Sequence, residues 1–454
     1  MSLPPKPATR EGPVRLWRYM QMFRRDILSA QPARLFGARM AEFRTPFFRS
    51  VLVNEPDLLD EILLRRPDAF PKSDRIGHGL RPLLGESVFL TNGETWRRQR
   101  RIIDPAFEGG RLRDTFPAML AAGRACVDRL GQGGEINAEE VTSAVAADVI
   151  FRTLFSVPID DQTATDTYAA FRGYQRGQPL VNLRALLPRL TWLPSLYPRQ
   201  TKRRAGRIRA LILRLTEKRQ AELAAGTAPD DLASKVMRLR DPQTGQGFST
   251  EEMVDQVAIF FLAGHETSAS ARAWSLYLLA THPYWQDQAA AEAAKLPSDP
   301  QFSDLATLSI CRDVFREALR LYPPVPMMVR ETVCPETFRQ RDLPVGTQVV
   351  ISPWHLHRHT RLWDNPDGFD PARWTADSRT RCPKEAYLPF SKGSRVCPGA
   401  GFAMAEGPLL LALFLARFEV AARNTPTPVA HLTLRSEDGI RLWLSPRDAN
   451  MSQG

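Results

Sequence analysis

The chain has 454 residues, with 61 Lys and Arg against 50 Asp and Glu, so its formal net charge is +11 at pH 7. Hydrophobic residues make up 43% and charged residues 24%, proportions that exclude a disordered or fibrous protein. The longest apolar runs, such as 409–416, are about eight residues long, whereas a membrane-spanning helix needs roughly 18 or more. Residues 1–25 lack the continuous apolar stretch of a signal peptide, so we expect a cytoplasmic protein without a membrane anchor.

Two details of composition bear on the class of partner. Only 8 of the 61 basic residues are lysine, so arginine is in large excess. Codon bias in a GC-rich genome would explain this excess, and so would a basic surface for an acidic partner or nucleic acid. No zinc-finger spacing or aromatic–basic RNA motif is present, so nucleic-acid binding is not expected. The five cysteines are odd in number, dispersed and never in a CxxC pair, which argues against a disulfide framework or zinc site.

The first half of the chain has a mostly helical pattern. Residues 1–14 are rich in Pro, Arg and Lys and are predicted to form a flexible tail. From about residue 55 onwards, apolar residues recur at helical spacing with breaks at Pro and Gly, and the last of these helices, 200–225, ends at Gly226. Ser249 and Glu252 have the spacing of a capping box and open an unusually apolar helix over 253–280.

The second half adds a minor strand component. A helix is predicted over 304–321, before two prolines, and a turn at 345–346 leads into a strand at 348–351. A final apolar helix at 400–418 and a strand pair within 431–445 complete the chain. The pattern predicts a mainly α protein with minor β structure, in which residues 15–454 form a single domain.

The most informative segment places a cysteine in a glycine-containing loop directly before a helix. The motif consists of Phe390, Gly393, Arg395, Cys397 and Gly399, at the spacing FxxGxRxCxG. A helix N-terminus stabilises a thiolate, which is a good soft ligand for iron, although a lone cysteine in such a turn is more often structural. The complete spacing resembles the heme loop of the cytochrome P450 family. The resemblance implies that Cys397 is the axial ligand of heme b.

The resemblance also implies a fold and a catalytic helix. The fold is expected to be a helix-rich triangular prism with small β-sheets, holding the heme between a long central helix and the helix after Cys397. On the central helix, Ala263 and Gly264 would leave room for dioxygen, and Glu266 and Thr267 would deliver protons during its activation. His265 is read as a packing or hydrogen-bonding residue, because a second strong axial ligand would block oxygen.

Further motifs agree with this family in the expected chain order. Trp96 and Arg100 share one helix face before a Pro-Ala-Phe segment, and with Arg330 and Arg395 they match positions that pair with heme propionates. Read alone, the i, i+3 pair Glu317 and Arg320 is an ordinary solvated ion pair. The resemblance implies instead that these two residues form a buried structural cluster with Arg373.

Surface and pocket residues are less specific. The remaining arginines of the 96–101 segment, Arg97, Arg98 and Arg101, together with Lys392, are predicted to face an acidic electron donor such as a ferredoxin. The substrate pocket is predicted to include Phe260 on the central helix and four apolar residues after the double proline. These four are Val325, Met327, Met328 and Val329, and for the two methionines the alternative of core packing stays open.

The implied activity is that of a bacterial heme-thiolate monooxygenase. Such an enzyme hydroxylates a hydrophobic small molecule, here a fatty acid, terpenoid or aromatic, using O2 and two electrons. No flavin or iron–sulfur domain follows the last strand, so a separate ferredoxin and ferredoxin reductase are the expected electron donors. The alternatives are a peroxide-using or isomerising P450 and a non-catalytic heme-binding protein. The Glu266–Thr267 pair argues against the first alternative, and the small residues at 263–264 argue against the second.

Overall fold

A 32-residue helix, α10 (Thr250–Thr281), lies in the core of the protein and contacts several other helices. The computed structural model describes residues 3–44, 49–108, 111–176, 197–375 and 383–447. The helices in these ranges are α1 (Leu16–Arg25), α2 (Pro56–Asp60), α3 (Asp74–Leu84), α4 (Gly93–Phe107), α5 (Arg111–Leu130), α6 (Ala138–Phe155), α7 (Gln162–Arg176), α8 (Arg199–Ala224), α9 (Leu232–Arg238), α10 (Thr250–Thr281), α11 (Pro283–Ala293), α12 (Ser309–Leu321), α13 (Pro353–Leu356) and α14 (Ala400–Arg417). The mainly helical prediction is therefore confirmed.

The start and end of α10 follow from local sequence. Ser249 accepts a hydrogen bond from the Glu252 amide while the Glu252 carboxylate accepts one from the Ser249 amide, which forms the predicted capping box. The helix ends at Thr281 because His282 precedes a proline and adopts an extended φ of −133°. Between these ends α10 packs against α6, α8, α12 and α14, so its apolar surface is covered on several sides.

Within the described ranges, short strands form four small sheets. They are β1 (Met40–Arg44), β2 (Arg49–Val53), β3 (Gly134–Asn137), β4 (Met328–Glu331), β5 (Glu336–Phe338), β6 (Arg341–Leu343), β7 (Gln348–Ile351), β8 (Phe418–Ala422), β9 (Pro428–Ala430), β10 (Leu434–Ser436) and β11 (Arg441–Pro446). The largest sheet has the order β1-β2-β7-β4, with β2 and β7 parallel and the other pairs antiparallel. The strand predicted at 348–351 is β7.

The prediction that two strands within 431–445 pair with each other is wrong. Both strands exist, but β10 pairs with β9, whereas β11 lies between β3 and β8. The β3 strand is some 300 residues earlier in the chain than β11, so no local pattern near 431–445 indicates this partner. This pairing brings the start of α6 next to the last strands, where Ala138 donates its amide proton to the Ile440 carbonyl.

The single helix predicted over 304–321 is divided in the structure. A 3₁₀ segment, Phe302–Thr307, precedes Leu308, and α12 begins only at Ser309. The carboxylate of Glu292 on α11 accepts hydrogen bonds from the backbone amides of Ile310 and Cys311 and from the Ser309 hydroxyl. This carboxylate satisfies the otherwise unpaired amides of the first turn, so a long-range contact sets the start of α12.

The segment predicted to be a flexible tail makes specific contacts over its described part, residues 3–14. Pro4 and Pro7 are buried, and the Pro5 carbonyl accepts a hydrogen bond of 2.8 Å from the buried Tyr322 hydroxyl. Lys6 forms an ion pair with Asp367. These contacts are not those of a flexible tail. The prolines of this segment supply apolar surface that is buried against the rest of the protein, which the composition alone does not reveal.

One described helix, α14, is long and apolar enough to cross a membrane, although the longest uninterrupted apolar runs are short. It packs against α5, α11 and α12, and its residues from Ala405 to Ala412 are all buried. The apolar character of α14 is therefore accounted for by its position in the protein core.

Candidate active site

The cysteine loop is shaped by a glycine and by backbone hydrogen bonds. A 3₁₀ turn over Gly393–Arg395 leads to Cys397, whose amide donates to the Phe390 carbonyl at 2.9 Å, and α14 begins three residues later at Ala400. Gly393 has a φ of +73°, and a Cβ atom built on it would lie 2.0 Å from the Leu63 carbonyl oxygen. No larger residue fits there without moving the loop.

This geometry predicts a large effect for Gly393→Ala. The new methyl group forces either the loop or residues 61–65 to move, at a cost of about 1–3 kcal/mol for the strained conformation. We expect a lower unfolding midpoint and less bound heme per protein. Gly401→Ala is the matched control, because its Cβ would meet nothing closer than 3.6 Å. Equal heme content and stability in the two variants would contradict this account of the loop.

Cys397 differs from the other described cysteines in its accessibility. Cys126 and Cys311 are buried and Cys334 is half-buried, whereas Cys397 is exposed. Although the residue as a whole is exposed, the protein atoms around its sulfur raise the pKa of the Cys397 thiol by desolvation, whereas a hydrogen bond from the Gly399 amide and the charge of Arg100 act in the opposite direction. Among the described cysteines, Cys397 is therefore the one most accessible to a bound group.

The predicted propionate-binding residues on α4 and in the cysteine loop lie together. The Arg395 guanidinium stacks over the Trp96 ring, with 4.1 Å between its carbon and the ring centroid. Arg100 donates a 2.8 Å hydrogen bond to the Val396 carbonyl and forms an ion pair with Asp104. The i, i+4 pair of α4 therefore contacts the two residues directly before Cys397 and braces the loop.

Arg330 joins this group through a residue that the sequence analysis missed. It lies on β4, is buried, and pairs in an isolated β-bridge with Lys72. Lys72 donates hydrogen bonds to the carbonyls of Val88 and Phe89. No motif surrounds Lys72 in the sequence, and a single lysine before a helix cap does not by itself indicate a binding site.

The charges in this region fit a dianionic group such as the heme propionates. Burial, with a smaller contribution from Arg395, lowers the pKa of Arg330 to about 10, and burial also lowers the pKa of Arg395 to about 10. The pKa of Lys72 falls well below its ordinary value through burial and repulsion from Arg395, Arg330 and Arg100. The Nη1 atom of Arg395 is buried without a hydrogen-bond acceptor. Clustered, partly unsatisfied cations of this kind are stabilised by carboxylates.

A stripe of accessible residues crosses the otherwise buried face of α10. From residue 253 to residue 279, every position is buried except Phe260, Ala263, Gly264 and Thr267, which follow one another at i, i+3, i+4 and i+7. The Thr267 hydroxyl donates a 2.6 Å hydrogen bond to the Ala263 carbonyl. The stripe gives the helix one face that a cofactor or substrate can contact.

Gly264 has a packing role that the sequence analysis did not foresee. A Cβ atom on it would lie 2.4 Å from Cδ1 of Ile150 on α6. The absence of a side chain therefore allows α6 and α10 to approach closely, independently of any requirement for space around dioxygen.

The two polar residues beside the stripe have defined partners. Glu266 is 7% exposed and forms an ion pair with Arg435 on β10, a partner that the sequence analysis missed. His265 is buried, is 2.7 Å from the Ser143 hydroxyl through Nε2, and packs edge-on against Tyr168. Burial, with repulsion from nearby arginines, lowers the pKa of His265 to about 3. The ring is neutral at physiological pH and has the hydrogen-bonding role expected from the sequence.

The structural cluster expected from α12 is also assembled. The carboxylate of Glu317 accepts hydrogen bonds from Arg320 at 2.7 and 2.9 Å, and Arg373 lies 3.4 Å from it. Both Glu317 and Arg320 have 0% exposure, so this is not a solvated helical pair. Arg320 also donates to the carbonyls of His357, Pro366 and Gly368, joining α12 to the segment ahead of the cysteine loop.

The arginines predicted to face an electron donor are paired within the protein. Arg97 pairs with Asp68 and Glu94, Arg98 with Glu252, and Arg101 with Asp241 and Glu94. Lys392 forms an ion pair with Asp60. The predicted docking surface is therefore largely neutralised, by the nearby Glu94 and by acidic residues that are distant in sequence.

The predicted pocket residues are divided between the stripe and the core. Phe260 packs edge-on against Phe107 on α4, with 5.7 Å between ring centroids. Met327 and Met328 are half-buried and pack against two different hydrophobic clusters, so the core-packing alternative holds for part of each side chain. Val325 and Val329 are also half-buried.

Comparisons with known proteins agree with this geometry. The family model for cytochrome P450 matches residues 38–440. Similar proteins include cyclooctat-9-en-7-ol 5-monooxygenase of Streptomyces melanosporofaciens, 32% identical over 89% of this chain and 86% of the relative. Cytochrome P450 4A11 of Homo sapiens is 32% identical over 87% and 79%, and cytokinin hydroxylase of Arabidopsis thaliana is 27% identical over 87% and 78%.

A solved structure supports the fold. The crystal structure of the cytochrome P450DA heme domain superposes with a TM-score of 0.82 over 98% of both chains, at 24% sequence identity. The fold, the matched family model and the relatives named as monooxygenases or hydroxylases all lead to the same conclusion. The chain belongs to the cytochrome P450 family and is a monooxygenase whose cofactor is heme.

Proposed function

We propose that this protein hydroxylates a hydrophobic small molecule: a fatty acid, terpenoid or aromatic. In the balanced reaction, substrate, O2, two electrons and two protons give the alcohol and water. The observation that carries the proposal is the accessible stripe of Phe260, Ala263, Gly264 and Thr267, with the Glu266 carboxylate beside it. Phe260 supplies an apolar surface for substrate, and the small, exposed Ala263 leaves space beside it. The names of the relatives support the class, since one acts on cyclooctat-9-en-7-ol and another on a cytokinin.

The proposed holder of the heme is the cysteine loop with its basic cluster. Cys397 would ligate the heme iron, and Arg395, Arg330, Arg100 and Trp96 would bind the propionates. Phe390, Gly393 and Gly399 shape the loop around this ligand. Lys72 completes the cluster as a fourth cation. When bound, the heme supplies the oxygen-activating chemistry of this family, and thiolate ligation favours cleavage of the O–O bond.

The chain's own residues supply binding and protons. The half-buried Val325, Met327, Met328 and Val329 are proposed to line the substrate pocket together with Phe260, since apolar side chains exclude water and bind hydrophobic ligands. Thr267 and Glu266 are proposed to hold and transfer protons: a hydroxyl that donates to the Ala263 carbonyl keeps its lone pairs available to accept a hydrogen bond.

Electrons are proposed to come from a ferredoxin and its reductase in the cytoplasm. The net charge of +11 suits an acidic donor, although the arginines of α4 are engaged in internal ion pairs.

The proposal is tested by a panel of fatty acids, terpenoids and aromatic compounds. Each compound is titrated into the purified heme protein while the absorption spectrum is followed, and spectral binders are incubated with O2, NADPH, ferredoxin and reductase. We expect a spin-state shift and a hydroxylated product from at least one class. Product formed only with hydrogen peroxide would favour the peroxide-using alternative, and binding of heme without any spectral response or product would favour a non-catalytic protein.

The proton-transfer role predicts that Thr267→Ala uncouples oxygen consumption from hydroxylation. A positioned proton donor contributes about 10²–10⁴-fold in rate, so we expect product per O2 consumed to fall several-fold while hydrogen peroxide rises. The control is Thr307→Ala, because Thr307 is at an exposed position. Ser268→Ala is not a suitable control, because the Ser268 hydroxyl donates a hydrogen bond to the buried Glu406. Unchanged coupling in Thr267→Ala would remove this role.

A further inference from the structure

We propose that Arg435 is a positioning residue for proton delivery, acting through Glu266; this inference rests on the proposed role of Glu266. The ion pair joins a carboxylate that is 7% exposed to a guanidinium whose side chain is 38% exposed. The ion pair therefore links the buried acid to a cation that is partly accessible from the surface.

The backbone on both sides of Arg435 is firmly attached to neighbouring elements. The Leu434 amide donates to the Pro324 carbonyl at 2.9 Å, and the Leu434 carbonyl accepts a 2.6 Å hydrogen bond from Ser270. The Ser436 amide donates to the Glu139 carboxylate at 2.7 Å. Because Ser270 lies one helical turn after Glu266 on α10, this strand is held next to the acid rather than reaching it from a loose loop.

The electrostatic surroundings give the pair its function. An isolated carboxylate within the apolar part of α10 is strongly disfavoured, so Glu266 requires a cation to stay ionised. Burial raises the pKa of the Glu139 carboxyl, which the Ser436 amide and Arg435 only partly offset, and after burial Arg435 contributes to lowering the pKa of His265. Arg435 therefore acts on Glu266, Glu139 and His265 together.

Arginine suits a positioning role and not that of a proton donor. Its guanidinium stays protonated at any physiological pH, so it cannot release a proton to the reaction. It can hold the Glu266 carboxylate in one orientation and keep it charged until a proton arrives. Lysine retains the charge with a less specific geometry, whereas glutamine retains approximate size without the charge.

The experiment is a double-mutant cycle on the heme-loaded protein with its electron donors. The variants are Arg435→Gln, Arg435→Lys, Glu266→Gln and the Arg435→Gln/Glu266→Gln double variant, with the exposed Arg441→Gln on β11 as matched control. The readouts are product per O2 consumed, hydrogen peroxide formed and the kinetic solvent isotope effect. Thermal unfolding midpoints are measured for the same set.

Arg435→Gln is expected to lower product per O2 several-fold, with the missing electrons recovered as hydrogen peroxide, and Arg435→Lys to restore most of the coupling. In the Glu266→Gln background, Arg435→Gln should change coupling by less than about twofold, because the partner is already lost. The unfolding midpoint should fall in Arg435→Gln, which leaves a buried charge unpaired, and recover in the double variant.

The outcomes separate the two proposals. If Glu266→Gln leaves coupling and the isotope effect unchanged, the proton-transfer role of Glu266 fails. If Glu266→Gln uncouples the reaction but Arg435→Gln does not, only the inference about Arg435 fails. An equal loss in Arg435→Gln and Arg435→Lys, or a loss that adds fully to that of Glu266→Gln, also overturns it.

Discussion

Replacing Cys397 by serine is expected to abolish monooxygenase activity and the long-wavelength absorption band of the reduced, carbon-monoxide-bound heme protein. A serine hydroxyl is nearly the same size as a thiol, but oxygen is a harder ligand and does not donate electron density to iron as a thiolate does. Loss of an outer-shell partner of a metal costs roughly 10–100-fold, so loss of the ligand itself should reduce turnover to background.

Cys334→Ser is the matched control for this prediction. Cys334 is half-buried, contacts Glu336 at the start of β5, and lies outside the cysteine loop. Its variant should keep both the band and the activity. A Cys397→Ser protein that retained the band at wild-type intensity would disprove the ligand assignment.

Replacing Glu317 by glutamine is expected to cause the largest loss of stability. The Glu317 carboxylate accepts hydrogen bonds from Arg320, the Trp374 indole and the Asp370 amide, and Arg373 lies beside it. Glutamine leaves two buried guanidinium groups without a counter-charge. Breaking a buried ion pair by removing one partner costs about 3–5 kcal/mol, so the variant should unfold at much lower urea concentration and lose heme readily.

The pH dependence of this contribution follows from the direction of the pKa shift. Burial alone would raise the pKa of Glu317, but Arg320 and Arg373 outweigh it and hold the pKa below its ordinary value. The stabilisation is therefore complete above the ordinary pKa of a glutamate and is lost as the pH falls below it. Urea unfolding at neutral and acidic pH measures this dependence.

The control is Glu385→Gln, at an exposed position near the start of the same region. It should unfold within about 0.5 kcal/mol of the parent protein, as is usual for surface substitutions. If Glu317→Gln were equally mild, the buried cluster would not stabilise the segment ahead of the cysteine loop.

The sequence was sufficient wherever the relevant contacts are local. The capping box of Ser249 and Glu252 and the i, i+3 pair of Glu317 and Arg320 all join residues a few positions apart. The same holds for the cysteine loop, whose Phe390 carbonyl accepts from Cys397 seven residues later. In each case backbone geometry alone brings the groups within hydrogen-bonding distance, so spacing carries the information.

Other features depend on partners that lie far apart in the chain. Glu292 sets the start of α12, β11 takes β3 as its neighbour, and acidic residues neutralise Arg98 and Arg101. No spacing predicts such pairs, because each is selected only when the helices and strands pack together.

The same distinction applies to the active site. Cys397, Glu266 and Thr267 are proposed from contiguous motifs, whereas Lys72 and Arg435 emerged only from the folded chain. Both are cations whose significance comes from what they approach: Lys72 from a basic cluster that contains Arg330, and Arg435 from a carboxylate that is 169 residues away. Burial converts these encounters into strong interactions, and burial is a property of the packed molecule and not of a sequence pattern.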